Sequence, residues 1–219
     1  MFKMQIVRAA RKIPELKQLL LITGDGKTLP EDLKRFLGKN LPHDAMCIGR
    51  SIGLYPWKVQ HYVDVDADAG KWVLENLDKN HPRVGSPITH TLGAVDWVDI
   101  GWDVVDCPIS SDEILWHGST ALFGVLIGLA MGYRRIVLAG VPMDSKGHWY
   151  FENEKWGPKW TMESYQAWFE FAGTDRAANV ASMSGYTRLL LGEPCKYFYK
   201  CVSTEEECKP MAEESPALF

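Results

Sequence analysis

The sequence predicts an α/β fold built on a sheet of mostly parallel strands, and three observations point to it. Short apolar runs that read as buried strands alternate along the chain with helical stretches. Ala121 to Met131 is apolar or glycine at nearly every position, so its helix is buried all round rather than amphipathic. That helix leads through Gly132, a residue suited to the left-handed turn that ends a helix, into RIVLA at Arg135 to Ala139, a buried strand. A buried helix feeding a buried strand is half of a βαβ unit. Ligands in open α/β sheets sit beyond the carboxyl ends of strands. Two places are therefore marked for function: Gly118, Ser119 and Thr120 before the helix, and the strand exit near Asp144.

Taken in order, the first 17 residues are basic and short-patterned. Gln18 to Thr23 is the first buried strand and runs into Gly24, Asp25 and Gly26. Pro30, well placed in a first turn, opens a helix to about Leu37. Asp44 to Ile48 is a second strand, ending at Gly49, Arg50 and Ser51, and His61 to Val65 a third, followed by a helix from Ala69 to Leu77. A fourth strand is expected around Ile88 to Thr91, and Trp97 to Val105 reads as an irregular excursion or one more short strand. Ser119 is a good N-cap for the central helix. Beyond Asp144, residues 147–160 show neither helical nor alternating periodicity and carry clustered tryptophans, the pattern of a loop or lid. Glu163 to Ala172 reads as a helix, Val180 to Met183 as the last strand, and Tyr186 to Leu191 as a short helix. From Cys195 the pattern decays into an acidic, Pro-bearing tail expected to be loose.

Composition narrows the function. With 219 residues, 46% hydrophobic, the chain is long enough to bury a sizeable core without staples. A net charge of −4 argues against a general nucleic-acid binder, which needs a basic surface. The N-terminal stretch lacks the apolar core of a signal peptide, no membrane segment appears, and an odd count of five cysteines fits reduced thiols in a cytoplasmic protein.

Several constellations carry chemistry. LLITGDGKT, Leu20 to Thr28, is a strand entering a glycine turn and then a helix, a pattern suited to phosphate or to a plain strand-to-helix turn. It is not a P-loop, since Leu21 stands where GxxxxGK[ST] needs glycine, and Leu29 breaks GxGxxG. Asp64 and Asp66 would share one face of a strand and hold a hard divalent cation between phosphate oxygens, or else Asp66 or Asp68 caps the following helix. His90, His117 and His148 fall at element ends, and His148, following Asp144 on one exit loop, is the best-placed base. Trp149, Tyr150, Phe151, Trp156 and Trp160 can stack on a sugar or base, or pack a satellite core. Arg188, opening the last helix, suits a phosphate or carboxylate, or a surface ion pair.

The central block, small polar residues before an apolar helix and then GYRRIVLAGVPMD, resembles the signature of the small bacterial sialyltransferases and the MptE-like 6-hydroxymethylpterin diphosphokinases. LLLITGDGKTLPEDLKRF is similar to their strand-Gly-x-Gly-Pro-Ser-Leu opening, with Gly24 and Gly26 matching the glycines and Lys27-Thr28-Leu29 standing for Pro-Ser-Leu. The resemblance implies a single Rossmann-like domain at residues 18–194 with helices on both faces, flanked by an extension (1–17) and a tail (195–219). It implies nucleoside contact from Ser119 and Thr120 and donor contact from the aromatics after Asp144, Trp149 and Tyr150. With the residue reading, Gly24, Asp25, Gly26 and Gly118 join the nucleotide-binding candidates and Arg188 the donor or acceptor contacts, although Asp25 stands where the sialyltransferases carry asparagine. The implied activity is glycosyl transfer from a nucleotide-activated donor, with His148 or Asp144 as base. The alternatives are MptE-like diphosphate transfer from ATP with magnesium on Asp64 and Asp66, or nucleotide binding without turnover. No histidine follows His148, where the sialyltransferases carry their base.

Overall fold

Every ladder in the sheet is parallel, and seven strands lie in the order β5-β4-β3-β2-β1-β6-β7. The structure, a computed structural model, describes residues 18–77, 87–93, 95–102, 119–150 and 158–200. Its strands are β1 (Leu19–Thr23), β2 (Asp44–Ile48), β3 (His61–Val63), β4 (Ile88–Leu92), β5 (Ile100–Trp102), β6 (Arg135–Ala139) and β7 (Val180–Ser182). The helices are α1 (Leu29–Leu37), α2 (Ala67–Asn76), α3 (Thr120–Ala130), α4 (Pro158–Ala172), α5 (Gly185–Leu191) and α6 (Lys196–Lys200). The expected α/β, Rossmann-like architecture is therefore the observed one.

Central strands of a sheet covered on both faces bury every side chain, which is why LLLIT and DAMCI carry no polar alternation and are buried throughout. Leu20, Ile22, Met46 and Ile48 face one core with Leu122, Val125 and Trp168; Leu21, Ala45, Cys47 and Tyr62 face the other with Leu29, Leu33, Phe36 and Val73. So α3 and α4 cover one face of the sheet, α1 and α2 the other. The apolar α3 lies close because a Cβ on Gly128 would stand 2.8 Å from Leu20 Cδ2 and 2.9 Å from Ile136 Cδ1. Gly132 takes the left-handed conformation expected of it, at φ +85°.

The chain differs from its sequence reading mainly at element ends. β3 stops at Val63, two residues early, because Asp66 caps α2, whose first residue is Ala67. The expected lid, residues 147–160, divides: 147–150 are ordered against the β1 loop, 151–157 lie outside the described residues, and 158–160 are the first turn of α4. The tail begins as a helical turn, α6, whose Phe198 and Tyr199 pack on the α1 core. The segment 1–17, and the tail from 201, lie outside the described residues. No described helix is long and apolar enough to cross a membrane.

Candidate functional site

The strand order reverses between β1 and β6, and the crevice expected there is closed by the chain itself. Gly24 N–H donates to Ala139 O and Gly26 N–H to Gly140 O, each at 2.8 Å. A Cβ on Gly24 would lie 2.8 Å from Gly140 O, so the glycine lets two loops meet backbone to backbone. The amides of both motif glycines are thus used within the protein. The first turn of α1 is filled as well: Asp32 Oδ2 accepts from Gly140 N at 3.0 Å and from Ser184 Oγ at 2.6 Å. Residues 148 and 149 complete the closure, through a Gly26–His148 bridge and a 2.8 Å bond from Trp149 N to Asp25 O.

An open cleft of about 320 Å³ lies beside this closure, outside the carboxyl ends of β1, β2 and β3. Its lining includes Asp25, Gly49, Arg50, Asp64, Trp72 and Tyr150, with Ala69 and Val73 as an apolar wall. Asp25 Oδ2 accepts from Arg50 N at 3.0 Å. Glycine is required at 49: its φ is +54°, and a Cβ there would stand 2.5 Å from Asp25 Oδ2. Burial pushes the Asp25 carboxyl from 3.8 up to about 6, against the Arg50 amide and the nearby His148. Its Oδ1 and the Trp149 indole N–H are both buried, and the indole acts on the carboxyl without a hydrogen bond of good geometry between them. Asp64 follows β3 directly; its Oδ1 accepts from Asp66 N at 3.0 Å and its Oδ2 from Tyr62 OH at 3.3 Å. Burial raises it to about 6 as well.

Arg50 sits in a column of rings. Its guanidinium carbon is 4.9 Å from the Trp72 ring centre and 4.5 Å from that of Tyr150. Tyr150 in turn stacks on His148, with centroids 5.0 Å apart and planes within 8°. Cation–π contact with the two rings holds the guanidinium in place at the cleft.

Asp25, Asp64 and Tyr150, far apart in sequence, are thus brought together, and His148 joins them through the column. Other expected residues are placed elsewhere. Asp144 is turned onto its own loop, accepting from Lys146 N at 3.0 Å with Lys146 Nζ at 3.8 Å. Arg188 pairs with Glu193 at 3.7 Å, the surface alternative weighed for it. Ser119 caps α3 through Leu122 N at 3.3 Å, accepts from Trp168 Nε1 at 3.1 Å, and is buried on the α3 face of the sheet. Thr120, half-buried, begins α3 on that same face. Gly118, His117, Phe151 and Trp156, and the side chain of Trp160, lie outside the described residues.

Asp64 and Asp66 do not fit a resident magnesium ion. They share no strand face, because β3 ends before them. Asp66 accepts from Ala69 N at 3.1 Å as the α2 cap, which turns its carboxylate to the helix rather than to Asp64. Among the described residues no group of three or more His, Cys, Asp and Glu is placed to hold a metal.

His90 has a structural role. Trp102 Nε1 donates to His90 Nδ1 at 3.0 Å, so the His90 proton is on Nε2 and points to His61 Nδ1 at 3.1 Å. His61 Nε2 then donates to Tyr133 OH at 3.2 Å, and Tyr133 donates to Asp44 Oδ2 at 2.5 Å. This chain crosses four strands with one proton order, and burial beside His61 pushes His90 down to about 3.

Sequence reasoning does not single out Arg50 or Trp72. The only trace of Arg50 is its place in Gly49-Arg50-Ser51 at the end of a strand; Trp72 reads as one more residue of α2.

No family model matches the chain, and no curated protein matches it. Among solved structures it is similar to the MAf glycosyltransferase from Magnetospirillum magneticum AMB-1, with a TM-score of 0.50 and 14% identity over 78% of this chain. The match spans only 32% of that protein, about a third of its length, and at this identity the likeness is one of fold.

Proposed function

We propose that the chain is a glycosyltransferase-like transferase that binds a nucleotide-activated donor, a nucleotide sugar, in the cleft outside β1–β3. The observation that carries this reading is the meeting of Asp64, Asp25 and Arg50 in one cleft at the carboxyl ends of parallel strands. The fold likeness to a glycosyltransferase supports the same class.

The proposed base is Asp64 in place of the expected His148 or Asp144. The His148 ring stacks on Tyr150 and Asp144 is bonded to its own turn, whereas Asp64 lines the cleft and is raised to about 6, suited to taking a proton near neutral pH. A carboxylate offers about four lone-pair sites, and protein donors use two of those on Asp64. In the reaction Asp64 takes the proton of the acceptor hydroxyl as its oxygen bonds to the glycosyl carbon. The bond from that carbon to the donor phosphate breaks, its electron pair leaves with the nucleotide, and Arg50 meets the charge that develops. Asp25, shut in beside Arg50, positions the arginine backbone. No step runs through a metal.

The experiment is turnover of a panel of CMP-, UDP- and GDP-sugars by wild type and Asp64→Asn. The variant is expected to lose about 10²- to 10⁴-fold in rate, the usual worth of a general base, while keeping nucleotide affinity. Wild-type turnover should rise with pH through about 6. Full activity in Asp64→Asn, or no turnover of any donor, contradicts the reading.

A further inference from the structure

Trp72 stands on α2 at the cleft, 51% exposed. One exposed aromatic is ordinary on a protein surface. This one is fixed in place before any ligand arrives, because Arg50 lies over its ring at 4.9 Å and is backed by Tyr150 at 4.5 Å and, beyond it, His148. A ring already immobilised loses little freedom when a second planar group stacks on it. We infer that Trp72 is the platform on which the aromatic nucleobase of the donor stacks; the inference rests on the donor-binding reading above and assigns one part of the donor to one side chain.

The chemistry of the cleft favours a base at this position over a bare phosphate. Arg50 is the one cationic side chain among the described lining residues, so a phosphate is held at the guanidinium and the Trp72 ring is left for an uncharged group. Ala69 and Val73 beside Trp72 offer an apolar wall that suits a flat uncharged ring. Stacking accepts any base, since every base has a π-face. With the base on Trp72, the phosphates extend toward Arg50, the next member of the column, and the transferred sugar toward Asp64.

The test compares binding of CMP, UMP, AMP and GMP, and of base-free ribose 5-phosphate, to four proteins by calorimetry. These are wild type, Trp72→Ala, Trp72→Phe and Trp57→Ala. Trp57 is a matched control: it is 48% exposed and packs against Tyr55 and His43, away from the cleft. Alanine is well tolerated at an exposed helical position, so the fold is kept. Trp72→Ala should weaken the best nucleotide by about 5- to 100-fold, the range for one stacked base, and Trp72→Phe should restore most of it. Trp57→Ala should change nothing, and ribose 5-phosphate should bind wild type and Trp72→Ala equally weakly. Nucleotide affinity indifferent to Trp72, or an equal loss for ribose 5-phosphate, overturns the platform and leaves the donor site standing. Failure of every nucleotide to bind wild type overturns both.

Discussion

Replacing Asp25 by asparagine isolates the cleft's electrostatics. Burial raises this carboxyl from 3.8 to about 6, a difference near two units, and at 1.36 kcal/mol per unit the ionised form costs about 3 kcal/mol. A carboxyl with a raised folded pKa binds its proton more tightly in the native state than in the unfolded chain. Between pH 3.8 and about 6 the native state therefore holds more protons, and stability falls as pH rises through that window. The full penalty stands above it. Asparagine carries no charge and keeps an oxygen for the Arg50 amide. Asp25→Asn should thus be more stable than wild type by up to about 3 kcal/mol near pH 7.5, with the gap narrowing as pH falls and closing below 3.8. The new amide N–H lacks an acceptor beside Trp149 and will trim the gain. Urea unfolding of both proteins across this range measures the gap, and the subtraction removes every other titrating group. A gap that stays constant with pH, or a variant less stable than wild type near neutrality, would refute the argument that burial controls Asp25.

Two further substitutions probe the scaffold. Ser119→Ala removes the α3 cap and leaves the buried Trp168 indole N–H without its acceptor; thermal unfolding should show a loss of about 2 kcal/mol, and titration should show unchanged nucleotide affinity. Weakened binding there would return the α3 N-terminus to the site. Tyr133→Phe removes the hydroxyl between His61 and Asp44; stability should fall by about 1–3 kcal/mol, while the ¹⁵N shifts of His90 should keep the tautomer that the Trp102 indole sets, and a changed His90 tautomer would mean the order is set from the Tyr133 end.

Much of the fold is legible because buried parallel strands are written as continuous apolar runs, and LLLIT, DAMCI and RIVLA are such runs. The Ser119 cap is legible for a similar reason, being local; its second partner, Trp168, lies 49 residues on and leaves no local sign. The glycine turn after β1 shows the limit of a motif. Gly24 and Gly26 read equally well as a phosphate cradle or as a place for backbones to touch, and only the neighbouring β6 loop decides between them. Alternation failed at Asp64 and Asp66 because the cap at Asp66 ended the strand before the alternation could place them. Asp25, Asp64 and Tyr150 each carry a sequence signal, but their convergence follows from the order β3-β2-β1-β6, which sets their loops on one sheet edge. Arg50 becomes functional only through rings contributed by α2 and by the segment after β6. The His90–His61–Tyr133–Asp44 chain likewise depends on register across neighbouring strands, which no single stretch of sequence contains.

Backbone hydrogen exchange, with and without the tightest-binding nucleotide, tests the central claim most directly, since it finds the site without presuming any residue. Ligand bound in the cleft should slow exchange at Asp25, Gly49 and Arg50, along Asp64 to Val73, and at His148 to Tyr150, leaving the α3 start untouched. Protection confined to Ser119 through Phe123, or none at a nucleotide concentration that saturates binding, would contradict it.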